Sequence, residues 1–128
     1  MGRKLIGITA LFLGLQVTAG TALAHHGSRA YYNMDKQVTL TGTVTNFEWQ
    51  NPHVYILFDV NDSQGHEVHW GAETYSPSVL ERNNGWNRST LKPGQPITIT
   101  IWPAKTGAPR GYISKVVTAG KTYVLATH

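Results

Sequence analysis

From Val38 to Glu48 the chain alternates, with Val38, Leu40 and Val44 on one face and Thr39, Thr41, Thr43 and Thr45 on the other. β-branched residues at period two are the signature of a half-buried strand, and Gly42 in its middle predicts a bulge or a sharp coil. Asn51-Pro52 breaks the pattern, which then returns with Val54, Ile56, Phe58 and Val60 inward and His53, Tyr55 and Leu57 on the opposite face. The polar run 61–65 reads as a hairpin turn. A third strand follows, with Val68, Trp70 and Ala72 inward and Glu67, His69 and Glu73 outside. Lys92-Pro93-Gly94 turns the chain into a fourth, carrying Ile97, Ile99 and Ile101, and a last pair is expected near residues 112–118 and 122–126.

Residues 76–82 interrupt this with a short helix: Ser76 is placed to cap it, Pro77 takes the first helical position, and Asn84-Gly85 stops it. Three strands, a short helix, then two or three strands is the plan of an all-β, five- to six-stranded OB-like Greek-key barrel, the helix lying between strands 3 and 4. A β-sandwich is the alternative, and it has no natural place for the helix.

The N-terminus limits where such a barrel begins. Arg3 and Lys4 precede an apolar run that ends in Ala22-Leu23-Ala24, the order of charged, apolar and small residues expected of a secretory signal peptide cleaved after Ala24. The run is shorter than the roughly 18 residues needed to span a bilayer, so no stable membrane span is expected after cleavage. This divides the chain into a signal peptide (1–24), an N-terminal segment (25–37) and a barrel domain (38–128). The chain contains no cysteine, which rules out disulfides, thiolate metal sites and thiol catalysis. Its net charge of +4 includes Arg3 and Lys4, so the exported part carries about +2, too little to argue for nucleic acid.

Cleavage after Ala24 would leave His25-His26 at the new terminus, where a free α-amine and an imidazole share one residue. That pair can chelate a borderline metal, and a further imidazole would complete a site suited to copper, with nickel or zinc as alternatives. A second candidate is His53 with Glu73. Pairing Val60 with His66 across the turn sets Ile56 opposite Trp70, Val54 opposite Ala72 and His53 directly opposite Glu73, where a carboxylate would orient the imidazole. The bland reading is a cross-strand polar pair on a solvated face.

His66-Glu67-Val68-His69 invites comparison with the zinc-protease HExxH and fails it: the spacing is one residue short, and on a strand residues 66 and 69 face opposite ways. No nucleophile elbow, phosphate-binding loop or dinucleotide fingerprint is present, so the sequence gives an enzyme no support. Trp70 is expected in the core and Trp86 against the helix end, which leaves little for an aromatic stacking platform.

His25-His26-Gly27-Ser28, Glu48-Trp49-Gln50-Asn51-Pro52-His53, Trp70-Gly71-Ala72-Glu73, Ser76-Pro77 and Leu91-Lys92-Pro93-Gly94 together resemble a family of small exported bacterial proteins of unknown function. Trp49-x-Asn51-Pro52-His53 is the most specific piece. The family pattern is departed from where Gly27 separates the His pair from Ser28 and where Asn83-Asn84 precede Gly85-Trp86. The resemblance implies a Gram-negative periplasmic setting and supplies no activity. It does place the His pair, His53 and Glu73 in one recurrent pattern.

The expectation is therefore a periplasmic ligand-binding module with copper or another transition metal on His25, His26 and His53. Glu73 would orient His53, Trp49 would shield the site, and Asn51 and Glu48 would stand beside it. The rival expectation is a metal-free interaction protein that docks a periplasmic partner. In a third, His53 and Glu73 act as base and orienter of an enzyme, which requires a concave pocket around them.

Overall fold

The computed structural model describes Gly27 and residues 29–127. The expected signal peptide and His25, His26 and His128 lie outside the described residues. Six strands form one sheet: β1 (Val38–Glu48), β2 (Tyr55–Asn61), β3 (Glu67–Glu73), β4 (Pro96–Pro103), β5 (Arg110–Thr118) and β6 (Lys121–Val124). A short helix, α1 (Pro77–Asn84), joins β3 to β4. No helix of the described residues is long and apolar enough to cross a membrane.

The strand order is β3-β2-β1-β4-β5-β6, and a further parallel pairing of β3 with β5 closes five of the strands into a barrel. Strand β6 adds to β5 outside that closure. The expected OB-like barrel is thus the observed fold, and β1 is what allows it. Its first half pairs with β4 and its second half with β2, so one long strand turns the corner between the two halves.

The physical reason for that corner differs from the one expected. The bulge lies at Thr45, where the β1–β2 register shifts between Val44 and Asn46, not at Gly42. Gly42 is instead a point of close approach: a Cβ there would collide with the carbonyl oxygen of Asp59. Strand β1 can cross β2 so tightly only because residue 42 has no side chain.

The barrel interior is filled as the alternation predicts. Val44, Val54, Ile56, Phe58, Ala72, Ile97, Ile99, Ile101 and Ile113 are buried, joined by Leu80 and Trp86 from the helix and its exit. Ser76 stands at the helix N-terminus with extended backbone, but against expectation its side chain makes no cap bond and meets the Ser78 hydroxyl instead, while Gly85 closes the C-terminus in the left-handed region at φ 67°. The backbone N–H of Gly85 reaches the Glu81 carbonyl, the bond of an αL-type ending, and that of Trp86 reaches the Leu80 carbonyl. That ending aims Trp86 into the barrel's mouth, against Phe47 and Tyr123.

Candidate functional site

The β2–β3 hairpin sets everything on its outer face, and its register differs by two residues from the one expected. The turn closes over Asp62 to His66: the Asp62 N–H donates to the His66 carbonyl, and the Asp62 carboxylate accepts from the Gln64 and His66 N–H groups at 2.8 Å each. Gly65 supplies the positive φ, 81°, that such a turn requires. Asn61 therefore pairs with Glu67, Asp59 with His69, Leu57 with Gly71 and Tyr55 with Glu73. Val60 meets Val68 rather than His66, and His53 has no directly opposed partner on β3.

His53 and Glu73 meet nevertheless. The Nδ1 of His53 lies 3.4 Å from Oε2 of Glu73, reached diagonally from the segment just before β2. The side chain of Glu73 is 16% exposed and that of His53 40%, so the carboxylate is sheltered and the imidazole faces outward. The Asn51–Pro52 peptide bond immediately before His53 is cis.

Around Glu73 stands a group of tyrosines that the sequence reading missed. Tyr55 donates its phenolic O–H to Glu73 Oε2 at 2.9 Å. Tyr32, from the N-terminal segment, lies near enough to the same carboxylate to feel its charge. Tyr112 is paired with Glu73 across the closing β3–β5 rungs and packs its ring on Tyr32 (6.0 Å), Tyr75 (6.1 Å) and Trp102 (6.3 Å). The result is a second, smaller cluster on the outside of the barrel, covered by the N-terminal segment. That segment is fastened by the Tyr32–Ala104 bridge, by the Asn33 N–H to the Pro103 carbonyl, and by Lys105 Nζ to the Arg29 carbonyl.

The electrostatics follow from this shelter. Burial, and then the nearby Glu73 side chain, hold the Tyr32 phenol well above its ordinary range. Burial likewise raises Tyr112, aided by Tyr75, and Tyr55 is raised by burial and by its bond to Glu73. All three phenols are therefore neutral at pH 7; Tyr55 donates to Glu73, and the His53 imidazole stands at the open side of that carboxyl group.

The remaining expected residues divide. Glu48 ends β1 directly opposite Tyr55, within electrostatic reach of that phenol, so it belongs to the same row as Glu73. Asn51 is exposed at the corner. Trp49 stacks on Phe47 (5.6 Å, 53°), which in turn meets Trp86 edge-on, placing Trp49 in the aromatic group at the barrel's mouth. His69, at the other end of the hairpin's outer face, bonds Asp59 at 2.6 Å, and donor atoms of Asp59, Glu67 and His69 all lie within 4.8 Å of one another. An open cleft of about 320 Å³ lies near that end, lined by Thr45, Leu57, Asp59, His69, Trp70 and Arg110, and it does not include His53 or Glu73.

The tyrosines carried a signal that parity alone could reveal: Tyr55 is two residues from His53 and so shares its face. Tyr32 and Tyr112 carried none, because their arrival depends on barrel closure.

No curated protein matches the chain. The match of residues 14–113 to a family model, which spans most of the sequence, shows that the chain belongs to the family described as "Family of unknown function (DUF6152)".

Proposed function

We propose that this chain is an exported, periplasmic ligand-binding module that holds a transition metal, copper by preference, between His53 and the N-terminal histidines His25 and His26. The observation that carries the proposal is the engagement of His53 Nδ1 by Glu73, 3.4 Å away, on a half-exposed ring. A carboxylate on one ring nitrogen orients the imidazole and raises the donor strength of the other, the usual support of a metal-bound histidine.

The N-terminal histidines are within reach of the same place. Tyr32 lies near Glu73, and it is six residues beyond His26. Six residues of extended chain span up to about 20 Å, so the pair can fold back to His53 without releasing Tyr32. An α-amine with imidazoles is a nitrogen-rich donor set that favours Cu(II), with Ni(II) and Zn(II) as weaker alternatives.

The test is a Cu(II) titration of protein beginning at His25, read by electron paramagnetic resonance. One-to-one binding with nitrogen hyperfine structure is expected, weakened at least tenfold by His53→Ala and by one added N-terminal residue. Unchanged affinity in both variants, or no binding at all, overturns the metal reading and leaves the docking of a periplasmic partner as the better account.

A further inference from the structure

The β2–β3 hairpin is acidic in a basic chain. Residues 37–81 contain no lysine or arginine, yet they hold six of the seven acidic residues of a sequence whose net charge is +4. On the hairpin, Glu73 is engaged by Tyr55 and His53, and Asp62 by the turn that it folds. Asp59 and Glu67 are left, at the end away from His53.

Two consecutive rungs bring these acids together with an imidazole. Asp59 is directly opposed to His69, and Asn61 to Glu67. Side chains alternate along a strand, so residues 59, 67 and 69 share the outer face. His69 Nδ1 meets Asp59 Oδ1 at 2.6 Å, and one donor atom from each of the three residues lies within 4.8 Å of the other two. A cross-strand His–Asp pair needs no third member. Glu67 nevertheless stands within repelling distance of Asp59 and makes no ion pair of its own among the described residues. Arg110, which β5 brings over Gly71 on the same face, does not answer the two carboxylates. It donates to the Pro109 carbonyl at 3.2 Å and joins no ion pair among the described residues.

We propose that Asp59, Glu67 and His69 bind a divalent transition-metal ion, zinc by preference, at a site separate from the one at His53. Two carboxylates and a neutral imidazole cancel the charge of the ion. One nitrogen with two oxygens is a set that zinc accepts, since it makes no geometric demand of its own, whereas the nitrogen-rich set at His53 suits copper. Ligand atoms around a four-coordinate zinc stand roughly 3.4 Å apart. The His69–Asp59 separation of 2.6 Å lies below that value and the outer limit of 4.8 Å above it. The ion therefore parts His69 from Asp59 and draws Glu67 inward, and both His69 and Glu67 are exposed and free to move. Three protein ligands leave one position open, and Asp59 and His69 line the cleft from which water fills it.

The test is a Zn(II) titration of ¹⁵N-labelled protein beginning at His25, at fixed pH, followed through the ring nitrogens of His69, with Mg(II) as a control of equal charge. A saturable shift at His69 is expected, at least tenfold weaker with Mg(II) and in Glu67→Gln, and unchanged in His53→Ala. Because the readout is at His69, this site and the one at His53 can fail independently. Absence of a saturable shift, an equal response to Mg(II), undiminished binding in Glu67→Gln or loss of the shift in His53→Ala overturns the proposal.

Discussion

Tyr55 and Glu73 are directly opposed on β2 and β3, and the Tyr55 phenol donates to Glu73 Oε2 at 2.9 Å. The bond ties the hairpin's register to the site, because a shift of two residues would separate the pair. Tyr55→Phe is expected to destabilise the fold by about 1 kcal/mol, the usual size for one hydrogen bond to a partly exposed charged acceptor. Combining it with Glu73→Gln should give less than the sum of the single losses, measured by urea unfolding as a double-mutant cycle.

Gly42 and Gly71 should respond differently to alanine. At Gly42 the new Cβ collides with backbone, the Asp59 carbonyl, whereas at Gly71 it meets the movable end of Arg110. Gly42→Ala is expected to cost about 2 kcal/mol or more, as overpacking does, and Gly71→Ala less than about 1 kcal/mol. Denaturation midpoints of the two variants decide it.

The raised phenols predict alkaline lability. Tyr32 and Tyr112 ionise from 10.0 upward in an unfolded chain but are held protonated by burial in the fold. Folded values above the unfolded one mean that their contribution is complete below about pH 10 and is lost as pH rises toward the folded values. The urea midpoint should therefore fall above about pH 10 and fall less steeply in Tyr112→Phe.

His69 should titrate above 6.5, because its bond to Asp59 favours the charged ring. Its stabilising contribution is complete below 6.5 and disappears as pH rises through the folded value, and exposure keeps it small. The imidazole proton signals followed by NMR give the midpoint, and Asp59→Asn should bring it back down.

Thr74 Oγ1 is fully buried and has no hydrogen-bond partner among the described residues. Exchanging the hydroxyl for a methyl in Thr74→Val removes an uncompensated polar atom at nearly constant volume. The variant is expected to be neutral or more stable by up to about 1 kcal/mol in thermal unfolding.

What could be read from the sequence was set by local periodicity. The inward faces of β1, β2 and β4 and the helix from Pro77 with its glycine stop follow from side-chain parity and cap chemistry, which act within a few residues. The hairpin register was misjudged because it depends on which residue's side chain folds the turn. Asp62 takes that role by accepting from Gln64 and His66, and this moves each pairing by two. His53 and Glu73 were rightly brought together for the wrong geometric reason, a diagonal contact in place of a direct one. Tyr32, Tyr112 and Arg110 were beyond local reasoning, since they reach the outer face of β3 only through the β3–β5 closure and the strap across Ala104.

That closure consists of three rungs: Gly71 with Arg110, Ala72 with Gly111 and Glu73 with Tyr112. Each joins residues about 39 positions apart, the kind of non-local pairing whose loop-entropy cost delays it in folding. Gly111 keeps the seam tight, for a Cβ there would press on Ile101 at 2.5 Å. The first rung carries Arg110 and the last the carboxylate beside His53, so the side chains at both ends of the seam reach their places only when it forms. A metal held by His53 would act as a clasp on the shut barrel, and slowed hydrogen exchange along these three rungs would be its earliest trace.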